Sequence, residues 1–170
     1  MPRSFSFTFE TNSSTEQILS AFGQEDYWRA RLGAFDTLDT LEEFTVDRAG
    51  SVLVKLAKDV LHPGRQSGGP PIGRFLPRTW RVVQTEEWRA GRAGRIEGDL
   101  RLVAHGTPAS AAGSTVIVPV QGGSQGTGSA TVRFNVPLIG GQVENLMGRT
   151  LTESIRALNE FTTSWIAEHV

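Results

Sequence analysis

The chain has 170 residues, 38% of them hydrophobic, with 17 basic and 18 acidic side chains for a formal charge of −1. That length suits one domain, residues 1–170, with a sizeable core, and the balanced charge supplies no global field for nucleic acid or an anionic membrane surface. The absence of cysteine excludes disulfides, thiolate catalysis and sulfur-ligated metal.

Met1-Pro2-Arg3 leads directly into Phe5, Phe7 and Phe9 alternating with Ser4, Ser6 and Thr8, the period of a strand with one apolar face. With no signal-like or membrane-spanning apolar run, a cytoplasmic protein without stable membrane insertion is the expectation. Ser13 and Ser14 stand three residues before Glu16 and Gln17, forming two overlapping capping boxes ahead of Ile18, Leu19 and Phe22. They predict a short helix that Gly23 ends, and this reading takes precedence over a glycosylation acceptor at Asn12-Ser13-Ser14. Glu25 and Asp26 suit the positive end of a second short helix, in which Trp28, Leu32 and Phe35 recur at helical spacing.

Leu38 to Asp47 makes a poor strand, because strict alternation sends Leu41 and Phe44 to opposite faces. The turn Arg48-Ala49-Gly50 leads into Ser51 to Leu61, with Val52, Val54, Leu56 and Val60 inward and Lys58 on the same side, either at a sheet rim or in a cavity. From His62 to Thr79, the residues Pro63, Gly64, Gly68, Gly69, Pro70, Pro71, Gly73 and Pro77 abolish any period. This stretch reads either as a lid, with Ile72, Phe75 and Leu76 over a pocket mouth and Arg65, Arg74 and Arg78 near an anionic group, or as a plain hairpin connection anchored by Phe75.

Trp80, Val82, Glu86 and Trp88 share one face of the next strand, and across the turn Gly91-Arg92-Ala93-Gly94 the residues Ile96, Gly98, Leu100, Leu102 and Ala104 face the same way. Glu86 is a carboxylate on an apolar face, so it needs a partner or a proton. It reads as a functional acid or ligand anchor, or else as a rim residue or the partner of an arginine. Ser114 to Val120 and Thr127 to Pro137 complete a meander, with Val132, Phe134 and Val136 alternating and a flexible turn at Gln121–Gly126. The glycines of that turn precede a strand rather than a helix, which removes a phosphate-cradling role.

From Gln142 to His169, Val143, Met147, Leu151, Leu158, Phe161 and Trp165 fall on one face of a long amphipathic helix. Thr150 and Ser154 are small polar residues within that stripe; they either open space for a ligand or let the helix approach a sheet closely. His62, His105 and His169 lack metal-ligand spacing, no serine occupies a nucleophile elbow, and Glu42-Glu43 and Glu86-Glu87 point to opposite faces of their strands. No catalytic, cofactor or metal motif is found, and enzymatic activity is left open. The arginines at 81, 89, 92, 95 and 101 alternate with Glu87, Glu97 and Asp99, a solvated sheet face rather than a nucleic-acid surface.

The order of elements resembles the START-like, polyketide-cyclase-like (SRPBCC) helix-grip superfamily. More narrowly, AFGQEDYWRARLGAF, TEEWRAGRAGRIEGDLRL and VPLIGGQVENLMGRTLTESIRALNEFTTSWIAEH resemble an uncharacterised, mainly actinobacterial family within it. The resemblance implies an α+β fold in which a curved antiparallel sheet of six to seven strands wraps a long C-terminal helix, with two short helices after strand 1. It also implies a cavity between sheet and helix for a hydrophobic small molecule or lipid, some superfamily members being cyclases. The candidate ligand-binding residues are Trp28, Leu56, Glu86, Trp88, Leu102 and Phe134, together with Met147, Thr150, Leu151, Ser154 and Ile155 on the last helix. The alternative is a cyclase- or hydrolase-like enzyme using the same pocket, with Glu86 as its acid or base. The sequence sets no oligomeric state.

Overall fold

The computed structural model describes residues 2–36, 38–61, 79–106, 109–134 and 140–170, and the side chains at 2–36, 38–59, 81–106, 109–133 and 153–170. Residues 62–78 of the lid or connection expected from His62 to Thr79, and Pro137, lie outside the described residues, and Thr79 opens a strand. In chain order the elements are β1 (Arg3–Thr11), α1 (Thr15–Phe22), α2 (Glu25–Ala34), β2 (Thr40–Val46), β3 (Val52–Leu61), β4 (Thr79–Ala90), β5 (Ile96–His105), β6 (Ala109–Val120), β7 (Gly123–Phe134) and α3 (Gly140–His169). All seven strands form one antiparallel sheet in the order β1-β7-β6-β5-β4-β3-β2.

Local chemistry explains the element boundaries. Ser14 caps α1 through its hydroxyl, which accepts from the Gln17 amide, while the Gln17 side chain accepts from the Ser14 amide at 2.9 Å. The difficulty at β2 is resolved by a bulge between Leu41 and Glu43: Leu41 then pairs with Leu56 and Phe44 with Val54, so both land on the core side. One extra residue in the strand restores the face that strict alternation loses. The expected flexible turn at Gln121–Gly126 is corrected to a two-residue turn, Gln121-Gly122, with Gly122 at φ 85°; Gly123–Gly126 belong to β7. Their lack of side chains is used by β1, whose Phe9 lies over Gly126 and Phe7 over Gly128. Likewise β6 begins at Ala109 rather than Ser114. Lys58 reaches the Asp36 carbonyl from a half-buried position, the arrangement of a rim lysine.

The inner face of the sheet is built from cross-strand rows. One runs Val54, Glu86, Leu100, Gly113, Ala130, Phe5, and the next Val52, Trp88, Gly98, Thr115, Gly128, Phe7. α1 and α2 close one end, and α3 packs on β1 and β7. The C-terminal half of α3 is tied to β1 by the Thr11–Thr163 hydroxyl pair at 2.9 Å and by the Asn159 amide, which donates to the Glu10 carbonyl at 3.0 Å. Phe22, Tyr27, Trp28, Trp88, Phe161 and Trp165 form a connected aromatic cluster between sheet and helices, with ring centroids 4.7–5.8 Å apart.

Candidate functional site

Between the inner face of the sheet and the second half of α3 lies a cavity of about 120 Å³. Phe7 and Phe9 from β1, Ile18 and Phe22 from α1, Trp88 from β4, Leu100, Ile117 and Ala130 from the central strands, and Ile155 and Leu158 from α3 give it an apolar lining. Its polar lining includes Tyr27 and Arg31 from α2, Glu86 from β4, and Asn159 and Thr162 from α3. The cavity has depth because glycine stands opposite a ring in three cross-strand pairs: Trp88 on Gly98, Phe7 on Gly128 and Phe9 on Gly126. Each ring lies against the bare backbone, in space that a Cβ there would take, so that a side chain at the glycine would push it toward the cavity.

The polar end of the cavity is a hydrogen-bonded network centred on Glu86. Glu86 is 1% exposed, and its carboxylate faces the Arg31 guanidinium in a two-point pair, Nη2–Oε1 at 2.7 Å and Nη1–Oε2 at 3.3 Å. The Gln84 side-chain amide donates to Oε1 at 2.6 Å and the Trp88 indole N–H to Oε2 at 2.9 Å. Four donors thus surround the two oxygens. Burial acts against the Arg31 charge, but Glu86 and then Tyr27 outweigh it, and the guanidinium is held above its ordinary value. Arg31 also lies over the Trp28 ring at 4.9 Å. Tyr27 is fully buried with its hydroxyl 2.7 Å from that of Thr162, and desolvation pushes its pKa up.

Of the candidate residues, Glu86, Trp88 and Ile155 line this cavity. Trp28 and Leu56 are buried in the adjoining core, where the Trp28 indole donates to the Phe22 carbonyl at 2.8 Å. Leu102 and Ser154 are half-buried and do not line the described cavity. The side chains of Phe134, Met147, Thr150 and Leu151 lie outside the described residues. Sequence reasoning missed Arg31 and Tyr27, because the spacing of Trp28, Leu32 and Phe35 placed the apolar face of α2 elsewhere. Leu158, placed on the apolar stripe of the last helix but not among the candidate ligand-binding residues, also lines the cavity. The available signal for Arg31 was Glu86 itself, a carboxylate on an apolar face in need of a cation. Among the described residues no group of His, Asp or Glu could hold a metal ion, and no helix is long and apolar enough to cross a membrane.

A seven-stranded antiparallel sheet gripping a C-terminal helix, with two short helices after the first strand, is the START-like helix-grip fold. The solved structure of a START superfamily protein from Mycobacterium smegmatis matches over 98% of this chain and 99% of its own, with a TM-score of 0.50 at 16% identity. A Thermus thermophilus protein, TTHA0849, matches over 98% of both chains with a TM-score of 0.60 at 12% identity. Norcoclaurine synthase from Thalictrum flavum, in complex with dopamine and hydroxybenzaldehyde, matches over 100% of this chain and 89% of its own with a TM-score of 0.53 at 12% identity. Within that fold, residues 6–166 match the family described as Protein of unknown function (DUF2505), and the chain belongs to it. Uncharacterized proteins of Mycobacterium tuberculosis and Mycobacterium bovis are each 30% identical over 174 residues, spanning 100% of both chains.

Proposed function

We propose that this protein binds a hydrophobic small molecule in the cavity between the sheet and α3. The observation that carries the reading is the cavity itself: rings and aliphatic side chains line a half-open space of about 120 Å³ between the sheet and α3. Interiors normally pack without voids larger than a water molecule, and an apolar cavity of about 150 Å³ holds a benzene ring, so the space suits a ligand of about one ring. The norcoclaurine synthase neighbour, described with dopamine and hydroxybenzaldehyde, supports that size class. The enzyme alternative draws no support from Glu86, whose oxygens already engage Arg31, Gln84 and Trp88. A proton-transfer group needs a free lone pair or proton aimed at substrate.

Native mass spectrometry of protein purified without detergent tests the reading. A retained small molecule, lost in Ala130→Leu, is the expected result, since Ala130 lines the cavity at 4% exposure and a leucine there fills it. Retention unaffected by Ala130→Leu places the ligand elsewhere. Absence of both a retained molecule and any uptake of added ring compounds refutes the reading.

A further inference from the structure

The polar end of the cavity has an asymmetric hydrogen-bonding capacity. Glu86 offers two oxygens, and the two Arg31 nitrogens, the Gln84 amide and the Trp88 indole all converge on them, so no room is left for a donor from a ligand. Arg31 is different. A guanidinium carries five N–H groups. Among the described residues, Glu86 engages two of them and no other hydrogen-bond partner lies within 3.5 Å of the guanidinium, which leaves donor capacity on a side chain that lines the cavity. At the ion pair itself a ligand can therefore be met by a donor and not by an acceptor.

Charge narrows the choice further. Arg31 and Glu86 sum to zero, with side chains only 9% and 1% exposed. A carboxylate entering the cavity would be the third charge in a site whose one cation is already matched, buried beside a like-charged oxygen pair without a counterion. A neutral oxygen carries no such penalty and still gains a hydrogen bond from a charged donor. The aromatic and aliphatic walls then receive the rest of the molecule.

We propose that the cavity selects neutral, ring-sized compounds bearing a hydrogen-bond acceptor, such as a carbonyl or ether oxygen, which docks on Arg31, and that the Arg31–Glu86 pair rejects carboxylates of the same shape. This rests on the ligand-binding reading and adds the chemical class of the ligand. Glu86 is here a specificity-determining residue that acts through Arg31.

The test uses three matched probes, acetophenone, ethylbenzene and benzoate, titrated into the full chain and followed by NMR shifts of the cavity-lining residues. Acetophenone is expected to bind about tenfold more tightly than ethylbenzene, as one hydrogen bond to a charged donor dictates, and benzoate more weakly than either. In Glu86→Gln the cation is released and the order of acetophenone and benzoate inverts. Should that variant fail to fold, Arg31→Met with Glu86→Leu removes both charges, and the expected result is retained ethylbenzene binding with the acetophenone advantage gone. Equal binding of all three probes to the parent, or an acetophenone advantage that survives in the double variant, overturns the proposal while leaving the ligand-binding reading intact. Failure of every probe to bind overturns both.

Discussion

Removing the Glu86 carboxylate should destabilise the fold far more than removing both members of its ion pair. In Glu86→Ala the Arg31 guanidinium stays buried at 9% side-chain exposure with its counterion gone, and Gln84 and Trp88 lose their shared acceptor. Breaking a buried pair from one side costs about 3–5 kcal/mol, because an uncompensated charge is left in a poor solvent for it. For a chain of this size that lowers Tm by about 6–20 °C. Arg31→Met with Glu86→Leu exchanges both ions for side chains of similar volume and retains only the loss of acceptor for two half-buried donors. It should recover much of the stability, with a coupling energy of about 2 kcal/mol or more between the sites. Urea denaturation of the parent, both single variants and the double variant measures this cycle directly. Simple additivity, or a Glu86→Ala loss under about 1 kcal/mol, would show the pair to behave as a solvated surface bridge and would refute the argument from burial.

The contrast between what the sequence did and did not reveal follows from the range of the interactions. The Phe5-Phe7-Phe9 alternation, the Ser14–Gln17 box and the amphipathic stripe of α3 are local signals, each decided by neighbours within a turn or two, and the elements appear where those signals place them. The bulge at Leu41–Glu43 is visible only as a failure of alternation, since its cause is the register imposed by Leu56 and Val54 on another strand. Gly126 reads as a turn residue because its partner, Phe9, lies more than a hundred positions away in the chain. Arg31 is the furthest from local inference: a cation normally marks the wet face of a helix, and its burial is explained only by Glu86, 55 residues later. The candidate site was thus legible on the strand side, where period two separates faces cleanly, and obscure on α2, where one long-range charge pair reverses the usual meaning of an arginine.

Tyr27 is the sole tyrosine, so tyrosinate absorbance reports it alone. Its folded pKa is raised by burial, so the fold favours the protonated form: that contribution is complete below about pH 10 and is lost as pH rises from there toward the folded value. The native protein should show tyrosinate only above the ordinary range, and Tyr27→Phe should flatten the alkaline fall in stability; ordinary titration of the folded chain near pH 10 would contradict the burial. Ser14→Ala deletes the hydroxyl that accepts from Gln17 and should lower stability by about 1 kcal/mol in the same urea assay, with a loss under about 0.3 kcal/mol showing the α1 cap to be redundant. Gly126→Ala probes the depth of the cavity. A Cβ at that position falls within 3.0 Å of three carbons at the tip of the Phe9 ring, so the ring must retreat by more than about 1 Å to regain ordinary carbon–carbon contact. The strand side is blocked by the new methyl, and the free direction is the cavity that Phe9 already lines. The backbone at Gly126 has no positive φ to strain, so the expected outcome is a folded protein whose uptake of ring compounds falls by about tenfold or more, the equivalent of about 1.4 kcal/mol of lost contact. Unchanged uptake in a folded Gly126→Ala protein would mean that the ligand does not occupy the space in front of Phe9, and that the ring-on-glycine wall is packing alone.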